Sequence, residues 1–151
     1  MNFIGRLIYF SMVVLMSFLF LSQFSTLALA GDCTQKRKTP RAPNKIYKQI
    51  NPLEATPENI SAGKNIYQKG AKPLACFQCH GTNGEGNGKM ASGMKPNPRD
   101  FSCKAMMKDI PDGQLFWVIK NGSKGTGMMA FKTLTDEQIW QVVSYIRQFP
   151  Q

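Results

Sequence analysis

Residues 76–80 read Cys76-Phe77-Gln78-Cys79-His80, a C-x-x-C-H pattern that limits what the chain can fold around more than any other stretch. Two intervening residues place the cysteine sulfurs about one helical turn apart, and the next residue brings an imidazole beside them. This is the arrangement for covalent c-type haem attachment, in which both thiols add across vinyl groups and the imidazole ligates the iron. Zinc sites and thioredoxin-like redox sites also use C-x-x-C. Zinc needs two more ligands, but the chain holds one histidine, and its other cysteines, Cys33 and Cys103, are isolated. The thioredoxin reading needs strands in a βαβ frame, whereas these flanks have helical and glycine-rich patterns. The motif therefore predicts one covalent haem c, attached through Cys76 and Cys79 with His80 as an iron ligand.

The first thirty residues agree with that chemistry. Arg6 is their only charge, Leu7 to Leu21 is almost wholly apolar, and Ala28-Leu29-Ala30 forms an A-x-A cleavage site before Gly31. Residues 1–30 thus read as a cleaved signal peptide and the rest as a periplasmic protein. An uncleaved anchor is the competing reading, although the apolar run is short for a membrane span of about 20 residues. Beyond residue 30 the chain carries 18 basic against 9 acidic side chains, a formal +9, which two ionised haem propionates would lower to about +7. Such a surface steers towards acidic redox proteins or anionic membrane surfaces. Nucleic acid is not expected as a partner, because an exported haem protein rarely meets it.

Residues 31–55 form a basic arm in which Pro40, Pro43 and Pro52 interrupt any helix, so an extended path is expected. The folded domain, residues 56–151, opens at Thr56-Pro57-Glu58, which supplies an N-cap, a first-turn proline and a first-turn acid for a helix to about Lys69. Gly63 on its buried face admits a second helix closely. Gly81 to Gly88 contains four glycines suited to left-handed turns beneath the haem, and Lys95 to Phe101 is extended by its prolines. With no preceding strand and no Gly-Lys-Ser or Gly-Lys-Thr ending, the glycine loop is not a phosphate cradle. Pro111 to Gln114 opens a second helix, closed by Asn121-Gly122, whose Trp117 is expected to serve both core and haem pocket. Thr135-Asp136-Glu137-Gln138 is a capping box with Leu134 and Ile139 as its staple. Ile139, Val142, Val143 and Ile146 then form the apolar stripe of the last helix, with the Gly63 helix as its partner.

Methionine, cysteine or no side chain remains for the other face of the iron, since no second histidine exists. Most methionines fill cores, and Met106 and Met107 read that way. Met128 and Met129 lie in a glycine-rich loop that can carry a thioether to the metal.

From about Thr56 to Phe149 the chain resembles a class I c-type cytochrome: C-x-x-C-H after a first helix, a glycine-rich loop, then Gly127-Met128-x-Ala130-Phe131 before a final helix. Gly63-x-x-x-Tyr67 and Tyr145 match the positions where that family's first and last helices cross. The resemblance implies a small all-α fold with three main helices around one covalently bound haem. It also implies Cys76 and Cys79 as attachment points, His80 as proximal ligand and Met128 as distal ligand. Met129 replaces a common proline and offers a neighbouring sulfur, so Met128 and Met129 both stay open. Lys89 replaces another proline, which leaves the carbonyl that orients His80 unassigned.

These readings converge on a periplasmic carrier of single electrons between respiratory redox proteins, not an enzyme. Lys72, Lys120, Lys124 and Lys132 are the lysines expected near its exposed haem edge. The alternative is a haem-binding subunit or gas sensor of a periplasmic complex, with Cys103 on the iron or an open site. A third reading keeps the chemistry and makes the chain a cytochrome subunit of a larger redox complex. An exported compartment and an even count also allow a Cys33–Cys103 disulfide, which needs Cα atoms within about 7 Å.

Overall fold

The computed structural model of the protein describes Cys33 and residues 35–149. The signal-peptide reading of residues 1–30 lies outside the described residues. Six α-helices follow in order: α1 Asn44–Tyr47, α2 Pro57–Asn65, α3 Phe77–His80, α4 Lys104–Met107, α5 Asp112–Asn121 and α6 Asp136–Ile146. Among the described residues there is no strand, and no helix is long and apolar enough to cross a membrane. The fold is the small all-α cytochrome c fold, with α2, α5 and α6 as its main helices, α1 a single turn before them and α3 and α4 single turns between α2 and α5.

Helix α2 starts where its cap predicts, with Thr56 Oγ1 accepting from Asn59 N–H and Pro57 in the first turn. It is α-helical only to Asn65. Ile66–Gly70 is wound more widely as a π-turn, closed by Ala71 N–H donating to Ile66 O. Helix α6 makes both capping-box bonds, Gln138 N–H to Thr135 Oγ1 and Thr135 N–H to Gln138 Oε1. All four residues of its predicted stripe are buried.

Gly63 fixes the crossing of α2 with α6. A Cβ there would sit 1.9 Å from the carbonyl oxygen of Gln141, so only a hydrogen lets the helices approach this closely. Below the crossing, Tyr67, Tyr145 and Phe149 form a three-ring cluster with centroids 5.1–5.5 Å apart. Phe116 of α5 stacks on Trp140 of α6. Arg147, just past α6, donates through Nε to Asp112 Oδ1 and through Nη1 to Met107 O, so one guanidinium joins α4, α5 and α6.

The arm differs from a uniformly extended path. Pro43 caps α1, a position that needs no N–H from it, and Gly113 N–H donates to Gln49 O. Gln114 then clasps the arm, accepting from Ala42 N–H and donating to Pro40 O. Cys33 and Cys103 form a disulfide with Cα atoms 5.6 Å apart. Thus the arm is docked at both ends.

Candidate haem cleft

Helix α3 is a single turn that carries the C-x-x-C-H motif, with His80 N–H donating to Cys76 O at 2.9 Å. So short a helix leaves its last carbonyls without partners of its own. The glycine loop turns back to satisfy them. Met90, Gly88 and Gly86 donate their N–H groups to the carbonyls of Gln78, Cys79 and His80. Gly81, Gly84 and Gly86 take left-handed φ values as expected, whereas Gly88 does not. Gly88 is required by proximity, since a Cβ there would lie 2.3 Å from Gln78 O. Tyr67, fully buried, reaches from the π-turn to donate its hydroxyl to Gly81 O at 2.8 Å.

His80 is buried and stacked on Phe101 at 4.5 Å. Its Nδ1 lies 3.0 Å from the carbonyl oxygen of Arg99. A carbonyl only accepts, so Nδ1 carries the proton and Nε2 presents a lone pair. Burial holds the imidazole down at about 4, against a smaller upward pull from the Arg99 carbonyl, so the ring is neutral near pH 7. Burial pushes the Cys76 thiol up to about 12 and raises that of Cys79. The site therefore disfavours thiolates and suits uncharged sulfur, the state a thioether has.

These three residues open on a cleft whose empty volume, mouth included, is about 1030 Å³. Leu115, Val118 and Ile119 of α5 and Ile146 of α6 give it an apolar wall. Met128 and Met129 both line the cleft. Met128 is half-buried and packs on the core, while Met129 is 40% exposed. Thr126 pins the loop: its hydroxyl donates to Ser123 O and accepts from Met128 N–H, while Met128 O accepts from Ser123 N–H. So Cys76, Cys79, His80 and Met128 are brought to one cavity. An apolar cleft, two neutral thiols and a tautomer-fixed imidazole with a free Nε2 fit a covalently attached haem. Among the described residues no cluster of three metal-ligating His, Cys, Asp or Glu side chains occurs, so zinc lacks partners.

Three expectations need correction. Cys103 is consumed in the disulfide, so it is not available as an iron thiolate. Trp117 neither lines the cleft nor joins the core, because 115, 118 and 119 occupy the inner face of α5 and 117 falls outside it. None of Lys72, Lys120, Lys124 and Lys132 lines the cleft itself, and Lys120 is paired with Asp136 at 2.6 Å.

Sequence reasoning missed two further lining residues of the cleft, Arg37 and Arg99. Burial lowers both guanidiniums, Arg99 to about 10, with the like charge of Arg37 acting in the same direction. Arg37 lies within a run of lysines and arginines, and nothing in that run distinguishes a half-buried member from exposed ones. Met94, whose sulfur lies against Gly127, is a third cleft methionine without a distinguishing pattern.

Comparison with known proteins agrees with this geometry. The family model for Cytochrome c matches residues 60–150. A chain from the reducing HAO-like protein complex of Kuenenia stuttgartiensis is 31% identical and superposes with a TM-score of 0.57 over 66% of this chain. The match spans 47% of that chain's own length. Among curated proteins none matches.

Proposed function

Because the chain belongs to the cytochrome c family, we propose that it is an exported monohaem carrier of single electrons, with haem c attached through Cys76 and Cys79. His80 is the proximal and Met128 the distal iron ligand in this reading. The observation that carries it is the fixed tautomer of His80, whose free Nε2 belongs to the cleft that the Met128 loop also lines. The haem supplies a one-electron change between ferric and ferrous iron.

The chain's residues do the rest. Arg99 O holds the His80 ring in one orientation, as outer partners of metal-ligating histidines do. Thr126 and Ser123 hold the Met128 backbone on both sides. A thioether favours ferrous iron and raises the potential, and the apolar α5 wall keeps water out in the same sense. With His80 and Met128 both holding the iron, no position on it would be left for a substrate, which favours carriage over catalysis. Residues 1–30 act as the signal peptide, residues 31–55 as a basic arm and residues 56–151 as the haem domain, placing the carrier in the periplasm. Acidic redox proteins are its expected partners, with anionic membrane surfaces as a further docking class.

A second reading makes the chain a subunit of a larger redox complex, favoured by its likeness to a chain of the HAO-like complex. Co-purification at constant stoichiometry distinguishes that role from a free shuttle.

The ligand assignment is tested by the red charge-transfer band of the purified ferric protein. The band is expected in the wild type and lost in Met128→Ala. Retention in Met128→Ala with loss in Met129→Ala moves the ligand by one residue, and absence from the wild type defeats His/Met ligation.

A further inference from the structure

Two half-buried cations line the cleft together without a carboxylate partner among the described residues. Arg37 and Arg99 both line it, and neither makes an ion pair among the described residues. Arg37 donates from Nη2 to Asn97 O, and its buried Nε has no hydrogen-bond partner among the described residues. Arg99 donates from Nη2 to Thr39 Oγ1 at 3.1 Å. A guanidinium has five N–H donors in a planar fork, so among the described residues both side chains leave most of their donors unpaired. Partly burying two like charges side by side with no counter-charge is unfavourable, because each loses hydration and repels the other. An anion in the cleft supplies the missing counter-charge.

The arm brings Arg37 there. The Gln35 amide bridges the opposing strand of chain, donating to Pro98 O and accepting from Asp100 N–H. The Cys33–Cys103 disulfide anchors the arm on one side of this stretch and the Gln114 clasp anchors it on the other. Between these ties, Arg37 is held against residues 97–100.

We propose that Arg37 and Arg99 form a two-guanidinium site for the propionate carboxylates of the haem, and that the disulfide-tied arm is the strap that supplies Arg37. This rests on reading the cleft as a haem site. Arginine suits the role because its fork pairs a carboxylate bidentately, which lysine cannot do. A half-buried cation in the haem cleft opposes the extra positive charge of the ferric state. Removing Arg37 should therefore stabilise ferric iron and lower the potential.

The test compares full-length wild type with Arg37→Gln, Arg37→Lys and the Cys33→Ser/Cys103→Ser pair. Its readouts are the midpoint potential and the propionate-bending band in the resonance Raman spectrum. Arg37→Gln is expected to shift the band and lower the potential. Arg37→Lys should keep most of the potential while still moving the band, because charge remains and the fork is gone. Loss of the disulfide should broaden the band as the strap loosens. If Arg37→Gln does not mature, Arg37→Lys carries the decision through the band alone. Haem staining of the denatured wild-type chain separates the two levels of failure. Wild type without covalent haem overturns the haem reading and this inference together. Covalent haem with an unmoved band in both Arg37 variants overturns the strap proposal alone.

Discussion

Tyr67 shows how much one side chain can coordinate here. It leaves the π-turn that follows α2, packs edge-on against Tyr145, and donates to Gly81 O directly after the C-x-x-C-H turn. Burial raises its hydroxyl well above the usual phenol range, so it remains a neutral donor at all ordinary pH values. Tyr67→Phe keeps the ring and removes the bond. Gly81 O then retains only Gly84 N–H at 3.3 Å. A buried neutral hydrogen bond contributes about 1 kcal/mol net, so Tyr67→Phe should lose about that much stability in denaturant unfolding of the ferric protein. Unchanged stability would mean that the hydroxyl is incidental and the ring alone matters.

The element scale is governed by close approach. At the α2–α6 crossing, Gly63→Ala places a methyl where Gln141 O already is, and a backbone oxygen cannot yield as a flexible side chain would. Overpacking of this kind costs about 1–3 kcal/mol, sometimes more, and the contact distance puts Gly63→Ala at the upper end. Chemical denaturation should show the loss, and a hydrogen-exchange map should show it spread over α2 and α6. A shift confined to α2 would mean that helix propensity, not the crossing, is the issue. The crossing was legible in sequence because a glycine on an apolar helical face has few other uses. The capping box of α6 was legible because each of its bonds is local. Arg147 was not, since its partners lie 35–40 residues earlier and an arginine after a helix ordinarily reads as solvated. The same limit hid the Arg99 carbonyl that orients His80: every residue has a carbonyl, and only the fold selects one.

For the whole molecule, the disulfide sets how firmly the arm belongs to the domain. Cys33 and Cys103 are 70 residues apart in sequence, and closing a loop of that length removes denatured-state entropy equivalent to about 4 kcal/mol. Covalent haem would join only Cys76 to Cys79 and does not shorten that loop. The Cys33→Ser/Cys103→Ser pair should therefore lose about 3–4 kcal/mol even with haem attached, read from denaturant midpoints. Net charge acts over a longer range. Residues 31–151 carry a formal +9, and with Lys120 paired to Asp136 the rim we propose for electron exit is left to Lys72, Lys124 and Lys132, all exposed and each within two residues of a cleft-lining residue. Thr133 Oγ1 donates to Lys72 O, so Lys72 and Lys132 sit on neighbouring loops. If that rim steers electron partners, oxidation of the ferrous protein by anionic ferricyanide should slow as the screening length falls from about 30 Å at 0.01 M salt to about 8 Å at 0.15 M. Oxidation by a cationic cobalt complex should accelerate over the same range. Charge reversal at Lys72 and Lys132 together should flatten the ferricyanide dependence, measured by stopped flow. Equal, salt-insensitive rates with both oxidants would place the positive charge away from the electron-exit edge, and would favour a fixed subunit over a diffusing carrier.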